Sequence, residues 1–355
     1  MHRSSVIVLS ISVVALVLGS LSLTLQLLCS NEKGVQQAAL PAGKTRSILL
    51  VADENVLRIS PDNDLYPHGV WYNVMTINGT VPGPLVIASR GDTLKITLRN
   101  DGNLVHSLNF HAGFGPSEAL SGIVKSGENK TWTMKVNYPG AFLYHCDGDN
   151  LNGIWEHIAD GMYSGMVVRG QSDVPAKEFF VTFSEVYDSN IVPQFASNQS
   201  TLERNDQLPG SFDMSKFIDK KPDLVLTNGM AFKYIPWIGT QARIILNSNA
   251  QVMHAKAGEL TRWYIFDAGP RNSIAFNFGA GLLKEVSYND PTANDGDNSA
   301  SGAIVSRQAY DEIVEIPPGS GRIVEVTFPE PGMYFGNDHD VGSILSGTGF
   351  VVIVD

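Results

Sequence analysis

Cysteine is nearly missing from this 355-residue chain, which holds only Cys29 and Cys146. The two stand in segments of very different character, and that excludes a disulfide framework. Charge is also sparse, at 17% of residues, and leans acidic to a formal net charge of −11. No basic patch is present, so the chain would repel the phosphates of a nucleic acid; that class of partner is excluded. Helical periodicity is scarce. Apolar residues are not lacking: at 43% they suffice for real cores, and the length has room for two domains.

Val6–Leu28 runs without a charge behind His2 and Arg3. That is long enough to span a bilayer and longer than the usual apolar region of a cleaved signal. Residues 1–30 are read as an export signal or membrane anchor, and 31–45 as a polar linker. Cys29, in "QLLCS", is a weak candidate for lipidation. The rest of the chain is expected outside the cytoplasm, periplasmic, pseudoperiplasmic or at the cell surface. In such a compartment a lone thiol such as Cys146 is either buried or metal-bound.

From about Ser47 onward, short apolar runs alternate with turn signals, as in "SILLVA", "KTWTMKV", "GAFLYHC" and "SGMVVRG". This spacing predicts an all-β sandwich or barrel. The pattern then repeats: "VKSGENKTWTMKVNYPGAFLYHCDG" is echoed by "EIPPGSGRIVEVTFPEPGMYFGNDHD". Two related β-sandwich domains are predicted, over 46–170 and 177–355, joined by "GQSDVPAK". In this alignment Asp338 falls where Cys146 stands and Ile274 about where His106 stands. Whatever Cys146 does, only the first domain does it.

His106, Cys146, His157 and Met162 offer two imidazoles, a thiol and a thioether, the ligand set of a blue-copper electron-transfer centre. Thiolate and thioether suit cuprous ion and imidazole suits cupric ion, so one site can hold both states. The order also fits, with one ligand early and three clustered at the end of a late strand and the loop after it. Taken singly, each residue reads as well as core or surface; zinc is a rival, although a structural zinc would want a stronger fourth ligand than Met.

Strand parity predicts a second site. Neighbours on a strand face opposite ways, so if Cys146 points inward, His145 points out. His106 and His111 are five apart and likewise diverge unless a bulge intervenes. His111 therefore goes with His145. His339, one past the Cys146 equivalent, also faces out and would make a third imidazole beside an open position. Three unrelated surface histidines are the alternative.

"NGTVPGP", "HSLNFHAG", "YHC…WEHIADGM" and "PGMYFGNDH", with the doubled pattern, resemble the copper-containing nitrite reductases and the related two-domain multicopper oxidases. The resemblance runs from about Ser47 to Asp355. It implies two cupredoxin-like Greek-key sandwiches. It also implies type 1 copper at His106, Cys146, His157 and Met162, accepting electrons and passing them on. Type 2 copper would then sit at His111, His145 and His339, giving two coppers per chain. The chain would form a homotrimer in which His339 meets His111 and His145 of another copy. A small redox donor, a cupredoxin or cytochrome, would feed the one-electron reduction of nitrite to nitric oxide.

The chain departs from that family at two positions. Asn109 stands where the family has its catalytic aspartate, and a second-domain histidine is replaced near Leu282. Asn109 can orient a ligand but does not titrate. Asp147, Asp338 and Asp340 are alternative acids. The trinuclear cluster of the laccase branch would need His-x-His and His-Cys-His, where this chain has "NFH" and "HCD". An electron-transfer cupredoxin, or a copper oxidase acting on another small molecule such as nitric oxide, is the other reading.

Overall fold

The computed structural model describes residues 43–355 except 64, 114–121, 150–151, 171–172, 197–198, 205–207, 241–242, 247–248, 280, 289–303 and 308–310. The apolar segment at 6–28, Cys29 and most of the linker lie outside the described residues. Among the described residues no helix is long and apolar enough to cross a membrane.

The first sandwich is built from β1 (Thr45–Ser60), β2 (Val70–Ile77), β3 (Val86–Ser89), β4 (Thr93–Asn100), β5 (Asn109–Phe110), β6 (Asn129–Lys135), β7 (Gly140–His145) and β10 (Tyr163–Arg169). Two short strands, β8 (Gly148–Asp149) and β9 (Asn152–Gly153), pair in the loop after β7. One sheet runs β2-β1-β4-β6 and the other β3-β10-β7-β5. The period-2 pattern accounts for both: in β4, Leu94, Ile96 and Leu98 are fully buried while the residues between them reach the other face. Between the sheets lies a core that includes Leu108, Phe110, Trp132, Tyr144, Cys146 and Met162.

The second sandwich begins with β11 (Lys177–Val186), so the expected join falls between β10 and β11. It continues through β12 (Ile191–Ala196), β13 (Gln199–Arg204), β14 (Leu224–Thr227), β15 (Trp237–Thr240), β16 (Arg243–Leu246), β17 (Met253–Ala255), β18 (Leu260–Asp267) and β19 (Ile274–Phe278). The remaining strands are β20 (Lys284–Tyr288), β21 (Ile304–Arg307), β22 (Val314–Ile316), β23 (Ser320–Thr327), β24 (Gly332–Asp338) and β25 (Phe350–Val354). Sheets β14-β11-β18-β23-β20-β21 and β17-β25-β24-β19-β22 enclose Trp263, Phe276, Phe278 and Phe350. Among the described residues the helices are α1 (Ile154–Ala159), α2 (Met214–Ile218) and α3 (Val341–Leu345).

The strand register has the same form in the two sandwiches. Asn109 pairs with His145 in the first sandwich, and Asn277 pairs with Asn337 in the second. Cys146 and Asp338 each follow the paired residue, and His106 and Ile274 each lie three before the other. A third cluster joins the sandwiches: Ala141, Leu143 and Val167 of the first pack with Tyr264, Phe266 and Ile323 of the second. Along β7, odd-numbered side chains thus face the second sandwich, while Tyr144 and Cys146 face the first core.

Candidate metal centres

Cys146 directly follows β7 and points into the first core, where it is fully buried. Its Sγ lies 3.2 Å from His157 Nδ1 and 3.9 Å from His106 Nδ1. Among the described residues, these are the only three or more His, Cys, Asp or Glu side chains whose metal-binding atoms all lie within 4.8 Å of one another. The His106 and His157 rings meet edge to face at 5.3 Å. His106 is not on a regular strand but in a single bridge to Val124 just before β5, and His157 is on α1. The ligand loop is therefore a short hairpin followed by a helical turn, which brings His157 back over the thiol. Met162 is fully buried in the same core; its carbonyl accepts from the Cys146 amide at 3.0 Å and its amide donates to His157 O at 2.9 Å.

Backbone amides of Ser107 and Gly148 donate to Cys146 Sγ at 3.2 and 3.3 Å, an arrangement that favours a thiolate. Without a metal, burial dominates and pushes the thiol up to about 11. Burial likewise drives His157 down to about 4 and holds His106 below its ordinary value. Both imidazoles are thus kept neutral and ready to ligate. A buried thiol between two neutral imidazole nitrogens, with two amides on the sulfur, fits a soft or borderline metal ion.

His145 leaves the strand on the opposite side, as parity predicts. Its Nε2 faces His111 Nε2 at 2.9 Å, with the rings perpendicular. His111 Nδ1 donates to Gly319 O at 2.9 Å, and His145 Nδ1 to Cys146 O at 3.1 Å. A carbonyl can only accept, so both protons sit on Nδ1 and both Nε2 atoms present lone pairs. Two lone pairs at 2.9 Å repel unless a proton or a cation lies between them. Desolvation, reinforced at His111 by its partner, pushes both rings below the usual histidine range, which disfavours the proton. The pair therefore fits a metal ion.

His339 is not drawn into this pair within the chain. It stands exposed just after β24, with its amide donating to Ala275 O. Asn109 lies beside His145 across the β5–β7 pair, and its amide donates to Asp147 Oδ2 at 3.0 Å. Asp147 is buried, with Oδ1 3.4 Å from His145 Nδ1. Of the three alternative acids only Asp147 has a contact to the pair. Asp338 is buried in the second sandwich and accepts from the amides of Ala275 and Asp340, and Asp340 caps α3. Leu282 is 57% exposed.

Sequence reasoning missed two groups. Glu54, on β1, places Oε1 2.8 Å from His106 Nε2. Gly319, in the turn before β23, supplies the carbonyl that sets the His111 tautomer. Neither carries a sequence signal, since they lie 52 and 208 residues from their partners.

Residues 61–173 match the multicopper oxidase family profile. The chain is 27% identical over 278 residues to a copper-containing nitrite reductase of Neisseria meningitidis serogroup A, covering 77% of this chain and 61% of that protein. The chain thus spans about three fifths of the length of the curated relatives it matches. Among solved structures, a copper nitrite reductase from Nitrosomonas europaea superposes with a TM-score of 0.68 at 26% identity, covering 88% of this chain and 94% of that one. A multicopper oxidase crystal structure superposes at 0.63 and 20% identity, over 90% of this chain and 92% of that one, a likeness of fold alone.

Proposed function

We propose, for a chain that carries a multicopper oxidase domain on two cupredoxin-like sandwiches, that it is a copper-dependent oxidoreductase reducing nitrite to nitric oxide. The reaction takes up one electron and two protons and releases water. One observation carries the reading: adjacent residues, Cys146 and His145, serve two different candidate centres on opposite sides of one strand.

His106, Cys146, His157 and Met162 would hold type 1 copper, and His111, His145 and His339 type 2 copper. Bound there, copper supplies a one-electron couple at the first set and a Lewis-acidic open position at the second. The chain's own residues do the rest. Burial keeps His106 and His157 neutral, the Ser107 and Gly148 amides hold the sulfur, and Cys146 O and Gly319 O fix the second-site imidazoles. The exposure of His339 supports its donation to a neighbouring copy in a homotrimer, where it completes that copy's second set. The apolar segment at 6–28 supports a location outside the cytoplasm, with or without a membrane anchor. A small cupredoxin or cytochrome is the proposed donor.

A second reading rests on Asn109 and Leu282. The Asn109 amide is engaged by Asp147, and exposed Leu282 can neither donate nor accept a proton. On this reading the second centre takes another small molecule, such as nitric oxide, or the chain only carries electrons.

Nitrite turnover by the copper-loaded chain with an artificial reductant decides between them. Nitric oxide formation that disappears in His145→Ala supports the first reading. No nitric oxide from either the native chain or Asn109→Asp leaves the second.

A further inference from the structure

We infer that Glu54 is a positioning residue for the first metal centre, orienting His106 and adding negative charge to it from outside the ligand set. The inference rests on the proposed copper centre. His106 has two ring nitrogens, and its Nδ1 faces the Cys146 sulfur at 3.9 Å. Its Nε2 meets the Glu54 carboxylate at 2.8 Å. A carboxylate accepts from N–H, so the bond fixes the proton on Nε2 and leaves the Nδ1 lone pair aimed at the sulfur.

The contact is built rather than incidental. The same carboxylate accepts from the amides of Asn103, at 2.7 Å, and Leu104, at 3.1 Å, just upstream of His106. These bonds fix the carboxylate from three directions. The approach is close: a Cβ at Gly102 would come within 2.4 Å of Glu54 Oε1, and the carboxylate would have to shift from its present place. His106 has no exposed surface and the Glu54 side chain is 25% exposed, so the charge sits where water screens it only in part. A carboxylate on the far nitrogen makes the near one a stronger donor, which stabilises the more highly charged metal state. Glu54 therefore holds the reduction potential of this centre down as well as holding the ring in place.

The two roles separate in two variants of the full chain. Glu54→Gln keeps an acceptor oxygen and removes the charge; Glu54→Ala removes both. Far-UV circular dichroism and the metal-free melting temperature establish that each variant folds. Glu54→Gln is expected to raise the reduction potential and shift the thiolate charge-transfer band while copper affinity stays near that of the native chain. Glu54→Ala is expected to do both and to lose ~10- to 100-fold in copper affinity by chelator competition. An unchanged potential and band in both variants would overturn the inference, even if Glu54→Ala weakened affinity, because that pattern belongs to loop bracing alone. Absence of a charge-transfer band in the native chain would instead sink the copper centre on which the inference rests.

Discussion

The Nε2 atoms of His111 and His145 face each other at 2.9 Å, and neither can donate while both rings are neutral. Their Nδ1 protons are committed to Gly319 O and Cys146 O. The repulsion between them is local and electrostatic, and a cation relieves it. The metal-free chain should therefore gain stability from a divalent ion at this pair. At an ion concentration 100-fold above its dissociation constant the gain is about 2.7 kcal/mol. Thermal melting of the Cys146→Ala chain, which lacks the thiol of the first centre, with and without zinc checks this; the gain should vanish when His145→Ala is added.

Metal entry at Cys146 should release a proton. Burial lifts the thiol to about 11 and lowers His157 to about 4, so at pH 7 the metal-free site holds a protonated thiol and a neutral imidazole. Cuprous ion binds the thiolate, and affinity should rise about tenfold per pH unit between those two values. Below about pH 4, His157 is also protonated and the dependence steepens. Titration with cuprous ion in weakly buffered solution should release close to one proton per metal, and none in Cys146→Ala.

The sandwiches also meet at Gly229, which has φ +77° and whose added Cβ would fall 1.8 Å from Val81 O. Both the backbone conformation and the contact require glycine. Gly229→Ala should cost about 3 kcal/mol of stability, from overpacking and strain together. Chemical denaturation of the metal-free chain measures it. A loss under 0.5 kcal/mol would mean that the contact yields freely.

Trp263 is fully buried in the second core, stacked on Phe179 at 4.0 Å and on Phe350 at 5.4 Å. Trp263→Ala removes the largest fully buried side chain there and should cost about 3–5 kcal/mol. This core is distant in function from Cys146, so cuprous affinity in the folded variant should not change.

The sequence disclosed what obeys a local period. Alternation along "GAFLYHC" was enough to send His145 and Cys146 to opposite faces, because a regular strand admits no other arrangement. The internal repeat put Asp338 at the position equivalent to Cys146, and each follows the residue paired with the matching asparagine. Long-range contacts were not legible. Glu54 reaches His106 only because β1 runs beside β4, and Gly319 reaches His111 only because the second sandwich packs on β7. The role of Asp147 was open in the sequence, since a carboxylate after a cysteine could as well face solvent. Its burial against Asn109 and His145 follows from the turn that also carries Gly148, one of the sulfur's two amide donors.

The most direct test of the account is electron paramagnetic resonance on the copper-loaded chain, before and after nitrite is added. Two cupric signals are expected, one with the narrow splitting of a thiolate-bound blue centre and a second that nitrite shifts. A single blue-copper signal that nitrite leaves unmoved would contradict it, and would reduce the chain to an electron carrier.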